Sequence, residues 1–496
     1  MRNAMRTISG AAAALPLTSL ILADAALAQN SVAPAVPAAP VIMAPPPPPP
    51  PPPVILPTLS DQQARELADL IRRDAVAQGL RDTEVAPDTS SNNALVRAAL
   101  DHARAVRTGR LDPSDFRKDW GLRPVAYDPL PAFADAVKRD RLAAWIASLP
   151  PPYAGYDGLQ QALGTYRALE QSGGWSAISA GPDLSFGMSG PRVAEVRKRI
   201  AIEDKELAAT GDKFDTALLE AVRRAQRRYG LNPSGLVSGQ TLAALNVPVH
   251  ARVRQIMANM ERWRWLPPEL PKDRIQVNIA AAVLTMFDGD APVASMKAVT
   301  GRPGDETPML QSSIHSIVLN PPWNVPQSIA TKELWPKEKA SPGYLKRNGF
   351  RVIPLDGGGR RLQQASGPSS ALGRYKFDFD NNFAVYLHDT PAQAGFSRYS
   401  RLASHGCVRL EKPAELAERL LSNEPAWSGD AIETAVDAGK TVRARLTQPV
   451  AVYLLYWTAF ASSTGPTSFR ADPYEWDSLL ADKIEARSAR QSLAAR

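Results

Sequence analysis

The sequence predicts a multidomain α+β protein, with a helical N-terminal body followed by a mainly-β domain that carries a helical insertion. Three observations predict this. The chain has 496 residues, enough for two to four domains at roughly 100–200 residues each. Apolar residues recur at helical spacing in the first half and at a period of two from Arg274 onward. Nine consecutive prolines, Pro45–Pro53, precede the helical part, and such a run forms an extended rod that packs no core.

Composition narrows the class further. The hydrophobic fraction is 44% and the charged fraction 22%, ordinary for a globular chain. Beyond the N-terminus no run of 18 apolar residues occurs, so no internal transmembrane helix is predicted. The net charge of +8 comes from 58 basic and 50 acidic residues. They are interspersed, which reads as a mildly basic solvated surface and predicts no nucleic-acid partner. One cysteine excludes an intrachain disulfide and a multi-cysteine zinc site.

Residues 1–28 read as a secretory leader. Arg2 and Arg6 precede an apolar stretch from Ile8 to Ala23, and Ala26-Leu27-Ala28 stands before Gln29. Its removal takes away two Arg and one Asp and leaves +7. The expected location is the periplasm, with membrane anchoring if the leader stays uncleaved. Residues 29–60, rich in Ala, Pro and Val, read as a spacer.

Residues 61–180 read as a helical scaffold. Leu159, Leu163, Tyr166 and Leu169 share one helical face, and Ser172-Gly173-Gly174 stops that helix. A second unit spans 187–248. Phe214, Leu218, Ala221, Ala225 and Tyr229 repeat at helical spacing, with Gly230 at the cap position. The mainly-β domain spans 272–447, with strands expected around Val277 and Ile279, at Ile314–Leu319 and at Phe383–His388. A partly helical insertion is expected at about 330–366, and residues 448–496 read as a C-terminal extension.

The chemistry concentrates in Ser404-His405-Gly406-Cys407-Val408-Arg409, with His388 nineteen positions before Cys407. The nucleophile in thiol chemistry is the thiolate, and a free cysteine near pKa 8.5 is mostly protonated at neutral pH. An imidazole can take the proton, and backbone N–H groups can hold an oxyanion. Alternation along the strand places Tyr386 and His388 on the face opposite Phe383, Val385 and Leu387, which turns His388 toward a cleft. The bland readings are an inert core cysteine and structural histidines. A zinc site of His388, His405 and Cys407 has only three ligands, and no nearby fourth Cys or His closes it.

A histidine, a gap of 15 residues, then Ser-His-Gly-Cys-x-Arg resembles the signature of the L,D-transpeptidase (YkuD) catalytic domain. Thr300-Gly301-Arg302 with Thr307-Pro308, Asn320-Pro321-Pro322-Trp323, Leu372-Gly373-Arg374-Tyr375-Lys376-Phe377 and Tyr386-Leu387-His388-Asp389-Thr390 agree with the large periplasmic branch of that family. Gly230-Leu231 and Thr241-Leu242-Ala243-Ala244-Leu245-Asn246 resemble the three-helix peptidoglycan-binding domain, from which Ser234 and Ala225 depart.

The resemblance implies a β-sandwich catalytic domain whose insertion caps the site. It implies Cys407 as nucleophile and His388 as base, His405 and Gly406 as further catalytic-loop residues, and Arg409, Ser404, Tyr386 and Trp323 as substrate-binding residues. No metal or cofactor is implied. The implied partners are peptidoglycan stem peptides as donor and acceptor, together with other cell-wall synthesis proteins. The implied reaction is 3→3 cross-linking through a Cys thioester on tetrapeptide stems. The alternatives are an L,D-carboxypeptidase, a transpeptidase attaching a protein to the wall, and a non-catalytic wall-binding scaffold.

Overall fold

The computed structural model describes residues 55–81, 84–461 and 465–494, with side chains as far as residue 487. The expected leader and the spacer up to residue 54 lie outside the described residues. No described helix is long and apolar enough to cross a membrane.

The helical body begins at Asp61–Ala77, capped by Ser60 and Gln63 in a reciprocal box that satisfies backbone donors left open at the helix start. Helices Asn92–Thr108, Leu130–Lys138 and Leu142–Ala147 follow. They enclose a separate core of residues such as Leu67, Val96, Ala99 and Phe133. The longer helix Ala154–Gln171 belongs to a second core. It buries Leu159, Leu163 and Tyr166 as their spacing predicts, and leaves Leu169 partly covered.

Three helices, Pro191–Ala201, Thr216–Arg228 and Gly239–Leu245, form the next unit. Phe214, Leu218 and Ala221 are fully buried there. Gly230 takes φ +65°, the left-handed turn that suits glycine at a helix end. Buried Gln226 accepts from Gly235 N–H (2.9 Å) and donates to the Leu236 carbonyl (2.8 Å), fixing the turn that follows.

Helix Val249–Trp263 leads into the sheet domain. Its strands are β1 Asp273–Asn278, β2 Val283–Asp288, β3 Ala291–Gly301 and β4 Leu310–Leu319. Next come β5 Trp323–Asn324, β6 Phe350–Pro354, β7 Arg360–Gln364 and β8 Tyr375–Phe379. The last are β9 Leu387–His388, β10 Leu402–Ser404, β11 Val408–Leu410 and β12 Val442–Leu455. Nine of the described strands form one sheet in the order β10-β3-β11-β9-β8-β4-β12-β1-β2, and β2 also pairs with β3. That extra pairing folds the sheet back on itself, so the two layers of the sandwich are halves of one continuous sheet.

Two boundaries differ from the sequence reading. The residues after 447 do not form a separate extension. β12 crosses that point, and Ala451–Leu455 pair in parallel with Arg274–Asn278. The strand expected at Phe383–His388 shortens to β9. Asn381 accepts from the N–H groups of Phe383 (3.0 Å) and Val385 (3.1 Å), and Ala384 takes φ +54°. A side-chain-held turn thus replaces the first half of the strand.

The insertion has its own small core of Val325, Ala330, Leu334, Leu345 and Leu362. Its sheet β5-β7-β6 begins at Trp323, earlier than the expected residue 330. The helical body, the three-helix unit and the sheet domain share one continuous buried cluster. A buried Glu261 paired with Arg264 (2.9 Å) and Arg110 (3.4 Å) ties helix Val249–Trp263 to the helical body. Removing one partner of such a buried set costs on the order of 3–5 kcal/mol.

Candidate active site

β9 lies between β8 and β11, and the register there assembles the site. Arg409 of β11 pairs with His388 of β9, and Val408 pairs with Leu387. Lys376 of β8 pairs with His388 from the other side. Val408 and Leu387 are fully buried in the core. Successive side chains alternate faces, so Cys407, Arg409, Tyr386, His388 and Lys376 share the opposite face. Cys407 and His388 are diagonal neighbours there, one strand across and two residues along.

His388 is 5% exposed. Its Nδ1 lies 2.5 Å from the Asp389 carbonyl. A carbonyl only accepts, so Nδ1 carries the hydrogen and Nε2 carries the lone pair. Asp389 is fixed in turn, its carboxylate accepting from Arg374 N–H (2.7 Å) and Thr390 N–H (2.6 Å). A side chain at Gly373 would collide with that carboxylate. Burial pushes the His388 imidazole down to about 3, with the charges of Arg409 and Lys376 adding to it. The ring is therefore neutral at physiological pH, as a general base requires.

Cys407 is a free, half-buried thiol. Burial pushes it up, while the Tyr386 N–H and phenol and the charges of Lys376 and Arg409 favour the thiolate. The sulfur is turned to Tyr386, and among the described residues no hydrogen bond joins it to His388. Such bonds are often long in substrate-free enzymes and tighten in the Michaelis complex. The Tyr386 ring stands edge-on to His388 with centroids 5.6 Å apart. Lys376 Nζ lies 4.5 Å from the centre of the Tyr386 ring. Trp323 packs on Phe350 of the insertion (6.2 Å) and turns its indole toward the Tyr386 phenol.

Gly406 takes φ +106°, a conformation glycine adopts freely. Ser404 is buried, and its Oγ accepts from Gly406 N–H (3.2 Å) and donates to the Cys407 carbonyl (2.5 Å). This corrects the substrate-binding role expected of Ser404, whose hydroxyl is spent inside its own loop. It also removes Gly406 N–H as an oxyanion donor. The Cys407 N–H has no acceptor among the described residues and is the donor left open.

His405 does not face the sulfur. Its Nε2 lies 2.6 Å from Glu333 Oε1 of the insertion, beside an open cavity of about 440 Å³ lined also by Arg302, Asp305 and Lys332. The three residues weighed as zinc ligands are thus not gathered on one point. Arg409 lines a second cavity of about 550 Å³, with Val299, Gly395, Ser400 and Ala403. Among the described residues its half-buried guanidinium has no acidic partner.

Residues 272–442 match the YkuD family, described as "L,D-transpeptidase catalytic domain". They are an L,D-transpeptidase catalytic domain. Two further matches flank this domain on its N-terminal side, a "Scaffold domain" at 57–163 and a "Putative peptidoglycan binding domain" at 189–245. A Haemophilus influenzae protein named "Putative L,D-transpeptidase" is 34% identical over 224 residues, covering 42% of this chain and 45% of the relative. The chain thus matches less than half of that relative's length. Among solved structures, the Xylanimonas cellulosilytica L,D-transpeptidase is 16% identical. It covers 56% of this chain and 99% of that one, with a TM-score of 0.18. The ertapenem-acylated catalytic domain of the E. faecium L,D-transpeptidase is 11% identical, covering 38% and 99%, with a TM-score of 0.18.

Within the L,D-transpeptidase domain, three polar residues of the site were not singled out from the sequence. Lys376 alternates with buried Tyr375, Phe377 and Phe379, so period-two reading places it on the His388 side. Asp389 and Glu333 gave no such signal, because their roles arise from a local backbone contact and from a distant insertion.

Proposed function

We propose that this chain is an L,D-transpeptidase that uses Cys407 to form 3→3 cross-links between peptidoglycan stem peptides, acting outside the cytosol. The carrying observation is that Cys407 and a neutral His388 share one sheet face, beside an open Cys407 N–H. In the proposed first step the Cys407 proton passes to His388 Nε2 while sulfur attacks the carbonyl of residue 3 of a tetrapeptide stem. The Cys407 N–H donates to the developing oxyanion. The C–N bond to the terminal D-Ala breaks, and His388 returns the proton to that amine. A thioester remains. A side-chain amine of diaminopimelate on a second stem then attacks it, gives its proton to His388, and releases the cross-link and the thiol.

Arg409, lacking an acidic partner and sharing the sheet face of Cys407, suits a stem carboxylate. Tyr386 and Trp323 line the approach to the thiol. The insertion caps the site and disfavours water as acceptor. With water in place of the amine the same thioester gives an L,D-carboxypeptidase, the second reading.

The test is incubation of the mature protein with a diaminopimelate-containing tetrapeptide stem, followed by mass spectrometry. Dimers linked 3→3 and free D-Ala are expected. Tripeptide without dimer would favour the carboxypeptidase, and no D-Ala release would sink both readings.

A further inference from the structure

The face behind the catalytic loop carries a residue that neither the motif chemistry nor the proposed reaction uses. Thr307 is fully buried. Its Oγ1 donates to the Gly406 carbonyl (2.8 Å) and accepts from Gly301 N–H (2.8 Å). Its N–H donates to the Tyr474 hydroxyl (3.3 Å), and that hydroxyl donates to the Gly301 carbonyl. Two residues on, Met309 is held by the helical body, accepting from Gly121 N–H (2.7 Å) and donating to the Asp119 carbonyl (3.0 Å). Thr307 is therefore anchored by the C-terminal segment on one side and by the N-terminal body on the other.

The consequence follows from peptide geometry. The chain has no cis peptide bond among the described residues. In a trans peptide the carbonyl oxygen and the next N–H point in opposite directions within one plane. Thr307 captures the Gly406 carbonyl, so it fixes the plane that contains the Cys407 N–H and directs that N–H away from the loop's buried side. Among the described residues no other hydrogen bond holds the Gly406 carbonyl. Ser404 holds the planes on either side, through Gly406 N–H and the Cys407 carbonyl.

We infer that Thr307, backed by Tyr474, is a positioning residue that aims the Cys407 N–H at the oxyanion. The inference rests on the acyl-transfer reading above. An oxyanion donor acts on the tetrahedral step of acyl transfer, and loss of one commonly costs 10²–10³-fold in kcat. It plays no part in simple alkylation of the thiol, which forms no oxyanion.

The experiment compares T307V, T307S and Y474F with the parent protein. Three rates are measured: D-Ala release from the tetrapeptide stem, acylation by imipenem, and alkylation of Cys407 by iodoacetamide across pH. T307V is expected to lower kcat for D-Ala release and the imipenem acylation rate by about 10–100-fold. KM and the alkylation profile are expected to stay within about twofold of the parent. T307S is expected to recover most of the loss. Y474F, which keeps the ring and drops only the hydroxyl, is expected to show a smaller loss of the same kind. It serves if T307V folds poorly. Full acylation rates in T307V, an equal fall in alkylation, or no recovery in T307S would overturn the inference. Parent protein that takes imipenem but not the stem would sink the proposed substrate while leaving Thr307 testable on imipenem. Parent protein acylated by neither would overturn both.

Discussion

His405 Nε2 lies 2.6 Å from Glu333 Oε1, so the catalytic loop and the capping insertion are joined by a side-chain contact across 72 residues of sequence. Arg302 approaches the same carboxylate at 3.7 Å. Both partners are about a third exposed or less, and such pairs contribute only about 0–1 kcal/mol.

Breaking this contact is therefore expected to change closure more than stability. Glu333→Gln should shift the melting temperature by less than about 2 °C. It should raise the ratio of hydrolysed tripeptide to cross-linked dimer severalfold, because a loosened cap admits water. Chromatography of the two products reads the ratio, and an unchanged ratio would remove the cap from the account.

Lys376 provides a second test. Its ammonium sits over the Tyr386 ring and favours the thiolate of Cys407. Lys376→Met keeps the aliphatic stem and removes the charge. The apparent thiol pKa is expected to rise, and alkylation at pH 7 to slow by about 3–10-fold, since one pKa unit is a factor of ten in thiolate. Lys376→Arg should restore most of the rate. An unaltered alkylation profile in the Met variant would show that the charge is screened from the sulfur.

His388 couples the site to acid stability. Its imidazole is neutral in the fold down to about 3, whereas in an unfolded chain it protonates near 6.5. Between those values the unfolded state binds the extra proton, so stability falls as pH drops from about 6.5 toward 3 and is complete above that window. The slope from this group is at most about 1.4 kcal/mol per pH unit. His388→Gln should flatten it in urea unfolding between pH 7 and pH 5, while abolishing D-Ala release. A parallel decline in both proteins would mean that other groups set the acid limit.

Gly406→Ala is expected to be damaging in two ways. A Cβ at φ +106° is strained, at a cost of about 1–3 kcal/mol, and would meet the Glu306 carbonyl at 3.3 Å. Acylation by imipenem should fall at least tenfold, with a lower melting temperature. Wild-type kinetics in this variant would show that the loop tolerates another path.

Much of this arrangement was legible in local spacing. The helical face of Leu159, Leu163 and Tyr166, the Gly230 helix end and the nearness of His388 to Cys407 on one sheet face each depend on neighbours a few residues apart, or on one motif. What stayed hidden depends on distant partners. Nothing around Ser404 indicates that its hydroxyl closes on its own loop. Nothing near Glu333 points to a histidine 72 positions later. The first half of the expected strand at Phe383 gives way to a turn that Asn381 holds through two backbone amides, a local alternative that apolar alternation alone does not reveal.

The path of β12 bears on how this region could travel between proteins. The matched catalytic segment stops at residue 442, the very residue at which β12 starts. Trimming there would delete the strand that lies between β4 and β1, opening the closed sheet and leaving β4 and β1 as raw edges prone to sticking to other chains. Transplanting the enzyme into a different scaffold would thus require carrying its tail along as an inseparable part.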